Sequence, residues 1–236
     1  ERIKMKKDLR QKPPRFELNK IDTEQGRFYM DPEGNFYPSV TSKIDRVLAK
    51  GEGYYRWLTS FDSYEKVKNI TSNKAKKGTS VHEECEKLAN GEEIEVDTDS
   101  KIGKRIKNFV NFYKEHNPKF EVIDTEFTVL NKKLGYAGRA DLLGLMHPNP
   151  DKSGDEEAQR FIIDLKTSKD VYPSHKLQLG FYKAGLEENG YEIDGIGVLV
   201  LGVDNYKFKK IEYNYDYVEA ANKLYPLVGP EEPDME

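Results

Sequence analysis

The chain has 236 residues, 38 of them Lys or Arg and 42 Asp or Glu, for a formal net charge of −4. This length buries a core without covalent staples, and no apolar run reaches the ~18 residues of a membrane-spanning helix. The single cysteine, Cys85, excludes an internal disulfide, a four-cysteine zinc site and a cysteine-held iron–sulfur cluster. The charge is uneven: residues 1–120 carry 25 basic and 20 acidic side chains, and the rest of the chain carries 13 and 22, so a basic half precedes an acidic one.

Residues 1–15 hold seven Lys or Arg and close on Pro13-Pro14, which predicts a flexible basic arm. Phe16, Leu18, Phe28, Tyr29, Phe36 and Tyr37 alternate around Asp31-Pro32-Glu33-Gly34-Asn35, a hairpin with a long turn. Ser39 or Thr41 caps a helix over Ile44, Val47 and Leu48 that Gly51 and Gly53 stop. A second helix is expected from Tyr54 to a break before Thr71, and a third from Ser72 to Leu88, interrupted at Gly78 and ended by Asn90-Gly91. Ile102, Ile106, Phe109, Val110 and Tyr113 recur at helical spacing up to about His116.

After Pro118 the pattern changes to strands at 120–130 and 134–146, a polar loop at 147–158, a buried strand at 161–165, a helix at 174–188, strands at 196–203 and 205–213, and a last helix at 217–227. Residues 229–236, with four acids and two prolines, predict a disordered acidic tail. The order implies an α/β (α+β) fold: a mixed central β-sheet flanked by helices, behind an N-terminal helical part. The expected organisation is one unit at 16–228, divided into a mainly helical part at 16–118 and a sheet core at 119–228.

The chemistry centres on Ile162-Ile163-Asp164-Leu165-Lys166-Thr167, where an apolar strand ends in a carboxylate and, two residues on, a lysine. Positions i and i+2 share a strand face, so a cation-binding carboxylate and an ammonium project together; taken alone, so short a motif is better read as an exposed Asp–Lys contact at a strand end. Asp141, between Ala140 and Leu142, is either paired or a ligand. Gln178 and Tyr182 lie four apart on one helix face. His82 has a neutral imidazole suited to Mn²⁺ and tolerable beside Mg²⁺.

Gly-Thr-Ser-Val-His at 78–82, Gly-Arg-Ala-Asp at 138–141, Asp-Leu-Lys-Thr-Ser at 164–168 and Gln-Leu-Gly-Phe-Tyr at 178–182 occur in that order, after Tyr37-Pro38-Ser39-Val40-Thr41. As an ordered set they resemble the PD-(D/E)XK nuclease superfamily in its RecB-like exonuclease branch, which includes phage and mitochondrial exonucleases. The resemblance implies a restriction-endonuclease-like core and a divalent-metal-dependent DNA exonuclease. It implies His82, Asp141, Asp164 and the Leu165 backbone carbonyl as ligands to one or two Mg²⁺ or Mn²⁺ ions, with Glu126 as a further acid. Lys166 becomes the catalytic lysine, supported by Gln178 and Tyr182. A structure-specific or restriction-type endonuclease, and a noncatalytic nucleic-acid-binding protein on the same fold, are the competing readings.

The expected partner is DNA, single-stranded or with a free end. Lys66, Lys68, Lys74, Lys76 and Lys77 form a run without an acid, Lys101, Lys104, Arg105 and Lys107 form a second basic cluster, and Tyr54, Tyr55 and Trp57 surround Arg56. Interleaved cations and aromatics suit a strand-threading channel, and a solvated helix face fits them equally. The motif segments add Ser39, Thr41, Thr79, Arg139, Thr167 and Ser168 as candidate DNA contacts. The chain is further expected to be a cytoplasmic monomer (bacterial or phage-infected host, with mitochondrial as the second option) that works beside replication or recombination proteins and away from membranes.

Overall fold

The computed structural model describes residues 9–116, 120–147 and 157–234. Three short strands open it: β1 (Asn19–Thr23), β2 (Gly26–Met30) and β3 (Phe36–Pro38) form an antiparallel sheet in that order. The helices α1 (Val40–Val47), α2 (Glu52–Thr59), α3 (Tyr64–Ala89) and α4 (Lys101–His116) follow. The core sheet then assembles from β4 (Phe120–Asn131), β5 (Tyr136–Met146), β6 (Gln159–Lys166), β7 (Gly195–Leu201) and β8 (Tyr206–Ile211), with α5 (Pro173–Glu188) between β6 and β7, and α6 (Tyr215–Leu224) at the end.

The core sheet has the order β4-β5-β6-β7-β8, and only β6 and β7 run parallel. The fold is α+β, as expected. The parallel pair requires a crossover, and α5 supplies it. Residues 179–186 of α5 are buried throughout, because this helix is sandwiched between the sheet and α1 and α6. Val40, Ile44, Leu179, Phe181, Val218 and Ala221 pack there with Phe127, Val129, Ile162 and Val198 of the sheet. The opposite sheet face is covered by α3 and α4 through Val81, Cys85, Ile106, Phe109 and Phe112, which meet Leu142, Ile163, Leu165 and Leu199. Among the described residues no helix is long and apolar enough to cross a membrane.

Several expectations need correction. The segment at 16–37 is three strands, not one hairpin: β1 and β2 turn at Thr23–Gly26, and β2 and β3 at Asp31–Asn35. The helical break falls at 60–63, not before Thr71. Ser63 caps α3, its hydroxyl accepting the Lys66 N–H, and the helix continues through Thr71 and Gly78. Gly53 lies inside α2 and Gly51 caps it.

Residues 9–15 of the expected free arm are held along the sheet: Arg10 pairs with Glu121 at 2.7 Å, Arg15 with the buried Asp124 at 2.6 Å, and the Tyr191 hydroxyl donates to the Gln11 carbonyl. Residues 229–234 of the expected disordered tail are also fixed. Tyr225 donates to the Pro230 carbonyl, and the Asp234 N–H donates to Gln25. Residues 1–8, 148–156 (most of the expected polar loop) and 235–236 lie outside the described residues.

Candidate metal centre and nucleic-acid interface

The β5–β6 ladder runs from Met146↔Gln159 to Leu142↔Ile163 and stops, although β6 continues to Lys166. Asp141 and Asp164 are the next residues on the two strands, so both stand where the strands separate. The Leu165 N–H, released from the ladder, donates to Asp141 Oδ2 at 2.7 Å. Leu165 thus reaches the site through its amide; its carbonyl carries the ligand role only by resemblance.

Asp164 is 1% exposed. Lys166 Nζ stands 2.7 Å from its Oδ2, and among the described residues no hydrogen-bond donor reaches its Oδ1. Burial pushes the Asp164 carboxyl above its usual range, against the pull of Lys166 and with a further push from Asp141. Burial acts to lower the Lys166 pKa, but Asp164 and Asp141 outweigh it and the ammonium form is favoured. A buried carboxylate with unfilled lone pairs is unfavourable unless something compensates it.

Asp141, His82 of α3 and Glu126 of β4 each offer a ligand atom, and these atoms lie within 4.8 Å of one another. Of the two His82 nitrogens, Nδ1 is 3.6 Å from Asp141 Oδ2. Glu126 has φ +45°, the single positive φ among described non-glycine residues. Such a residue costs about 1–3 kcal/mol and persists where its surroundings enforce it.

The consequence of that φ is a change of face. Thr125 meets Asn90 at the end of α3, whereas Phe127, two residues on, packs on the α5 side. On β5 the same switch separates Ala140, on the α5 side, from Leu142, on the α4 side. In a regular strand each pair would share a face. The kink therefore turns Glu126 and Asp141 together toward His82. Burial pushes the Glu126 carboxyl up to about 7, Asp141 adds to this, and Arg139, its ion-pair partner, opposes it.

One imidazole and two carboxylates converge here, with the buried Asp164 carboxylate behind them, a donor set that fits Mg²⁺ or Mn²⁺. His82, Glu126 and Asp141 are the residues that would hold such an ion, and Asp164 joins them only by the resemblance.

Helix α5 closes the other side. Gln178 Nε2 donates to the Tyr182 hydroxyl at 2.8 Å. The buried Tyr182 phenol is raised well above its usual pKa by burial and by Asp164. His175 in the first turn accepts the Tyr172 N–H at Nδ1, and burial, aided by Lys166, holds its pKa down at about 4. α3 crosses the end of β6 at Gly78, where a Cβ would lie 3.5 Å from Thr167 Oγ1.

The DNA-contact candidates divide. Lys74, Lys76, Lys77, Thr79 and Lys104 are exposed, and among the described residues none of the four lysines is in an ion pair. Lys74 Nζ lies 5.2 Å over the Trp57 ring, which neighbours Tyr54 and Phe61. Arg56 is paired with Glu52. Thr41 is exposed, but Ser39 is 2% exposed and serves as the α1 cap, accepting the Ser42 N–H at 3.0 Å. Arg105 donates to the carbonyls of Thr167 and Leu201, tying α4 to the ends of β6 and β7 rather than facing a strand. The Ser168 hydroxyl closes a turn onto the Asp170 carbonyl.

Arg27 and Tyr29 escape sequence reasoning. The Arg27 N–H donates to Ser42 Oγ at 2.8 Å, and its carbonyl accepts the Ser39 N–H at 2.8 Å, so the Ser39–Ser42 segment pins β2. Arg27 pairs with Asp22 at 2.7 Å, and burial raises the Tyr29 phenol above its usual pKa. The available signal was the Arg-x-Tyr alternation, which marks a strand and nothing more.

No family model matches the chain, and no curated protein matches it. Among solved structures it shows a likeness to the crystal structure of SSO0001, at 16% identity and a TM-score of 0.33, covering 50% of this chain and 56% of that one. At that level the likeness carries no argument about fold or activity.

Proposed function

We propose that the chain is a divalent-cation-dependent deoxyribonuclease that degrades DNA from an end, with single-stranded DNA as its substrate. The observation that carries this reading is the meeting of His82, Glu126 and Asp141 beside the buried Asp164 and its partner Lys166. Mg²⁺ or Mn²⁺ held by His82, Glu126, Asp141 and Asp164 would supply Lewis acidity at the scissile phosphate and acidify the attacking water.

The chain's own residues do the rest. The Lys166 ammonium, fixed by Asp164, stands where charge develops on the phosphate and stabilises it. Tyr182, held by Gln178, walls the site on the α5 side. The exposed lysines of α3, with Trp57 and Tyr54, offer phosphate contacts and stacking surfaces for a single strand leading to the site. Replication or recombination proteins are the corresponding partners, and Mg²⁺ or Mn²⁺ the cofactor, within this proposal.

The test of end-dependence compares linear and circular single-stranded DNA of one sequence in Mg²⁺. Loss of the linear molecule with survival of the circle is expected. Equal cleavage of both would overturn the exonuclease reading in favour of an endonuclease.

A further inference from the structure

Arg139 is the cross-strand partner of Thr128, which places it one diagonal step from Glu126, and its guanidinium pairs with that carboxylate. The two partners differ in freedom. Glu126 is 17% exposed and fixed by its left-handed backbone, whereas Arg139 is 56% exposed on a long stem. Glu126 is also one of the three groups whose ligand atoms converge. It therefore carries two competing claims: an internal cation already present, and a divalent cation whose other ligands stand within reach.

We propose that Arg139 is a positioning residue that occupies the Glu126 arm of the cation site until a divalent ion displaces it, and that the released guanidinium then binds a phosphate of the incoming strand. The inference rests on the cation-site reading above. The physical reason is charge. Without an ion, Glu126 and Asp141 repel each other in a half-buried site, and Arg139 offsets that repulsion. An ion at His82, Glu126 and Asp141 satisfies Glu126 and repels the guanidinium, which turns outward without leaving a buried charge unpaired. A guanidinium freed at the rim offers a planar fork to phosphate oxygens. Ion binding and strand binding thereby become reciprocally coupled through one side chain.

The experiment uses the full chain. Mn²⁺ binding without DNA is measured by titration calorimetry for the wild type, Arg139→Lys and Arg139→Gln. Anisotropy of a labelled single-stranded oligonucleotide is then measured in EDTA and in Ca²⁺. Arg139→Gln removes the competing cation and is expected to bind Mn²⁺ roughly 5-fold tighter or more, the lower end of a typical coupling. It is also expected to lose most of the gain in strand affinity that Ca²⁺ gives the wild type. Arg139→Lys, which keeps a cation, should stay near the wild type in Mn²⁺ affinity.

Glu126→Gln supplies the second arm. It frees Arg139 without any ion, so its strand affinity in EDTA should exceed that of the wild type. Equal Mn²⁺ affinity of wild type and Arg139→Gln, or no rise in EDTA for Glu126→Gln, overturns the coupling while leaving the cation site standing. Absence of Mn²⁺ binding in the wild type overturns the cation site and the coupling with it.

Discussion

Tyr182 lies directly across Gly138: a Cβ built on Gly138 would come within 2.7 Å of the ring carbon Cε1 and 3.2 Å of Val40 Cγ2. Gly138 opens the Gly-Arg-Ala-Asp segment and Tyr182 closes the Gln-x-x-x-Tyr pair, so two motifs distant in sequence meet in one packed layer. Gly138→Ala should therefore displace the ring and cost about 1–3 kcal/mol of stability through overpacking. Urea denaturation measures the stability change. The loss of nuclease activity should exceed that of an exposed control such as Lys207→Ala.

The Asp164–Lys166 pair predicts strong non-additivity. Asp164→Asn leaves a half-buried ammonium without its partner, and Lys166→Met leaves a buried carboxylate without its own; breaking a fully buried pair costs about 3–5 kcal/mol, an upper bound here because Lys166 is 19% exposed. The double variant removes both orphaned charges and should be less destabilised than the sum of the singles. A double-mutant cycle in urea with EDTA present checks this. Simple additivity would mean that the two side chains do not act as a pair.

Glu126 predicts a pH dependence in the absence of metal. Its carboxyl is raised from 4.5 to about 7, chiefly by burial. For an acid raised on folding, the native state holds the extra proton. Its stabilising contribution is full below pH 4.5 and is lost as pH rises through about 7. Glu126→Gln removes this dependence. In EDTA the variant should gain stability relative to wild type between pH 5 and pH 8, as read by thermal denaturation. A difference that stays flat across that window would contradict the assigned environment.

The α3 lysines predict a salt effect. Replacing Lys74, Lys76 and Lys77 with Gln should weaken single-stranded DNA binding and lower the slope of log affinity against log salt by ~0.7 for each phosphate that is no longer neutralised. An unchanged slope would assign these side chains to a merely solvated helix face.

The sheet was largely legible in the sequence because strand alternation and apolar runs mark β4 to β8 directly, and the Asp164, Lys166, Asp141 and His82 positions follow from short ordered motifs. The α2–α3 boundary was not. Thr71-Ser72 looks like a breaker, yet Thr71 turns its hydroxyl back to the Val67 carbonyl and the helix continues. The start signal was the Ser63 cap, well before Thr71. The kink at Glu126 was invisible because nothing in Thr125-Glu126-Phe127 demands a left-handed residue; it arises from tertiary packing that draws the two neighbours to opposite faces. The terminal segments were misjudged for a related reason. Arg15 and Tyr225 act on partners outside their own segments or elements, Asp124 and Pro230, and composition alone does not report such pairings.

Whether Asp141, Asp164 and Lys166 form a cation-dependent hydrolytic centre is decided by the release of end label from linear single-stranded DNA in Mg²⁺ and in EDTA. Wild type, Asp141→Asn and Lys166→Ala are compared, with circular dichroism establishing that each variant is folded. Release by the wild type in Mg²⁺ alone, with loss of at least about 100-fold in either folded variant, roughly 2.7 kcal/mol of transition-state stabilisation, is the expected result. Release that persists in EDTA, or that survives undiminished in both variants, would contradict it.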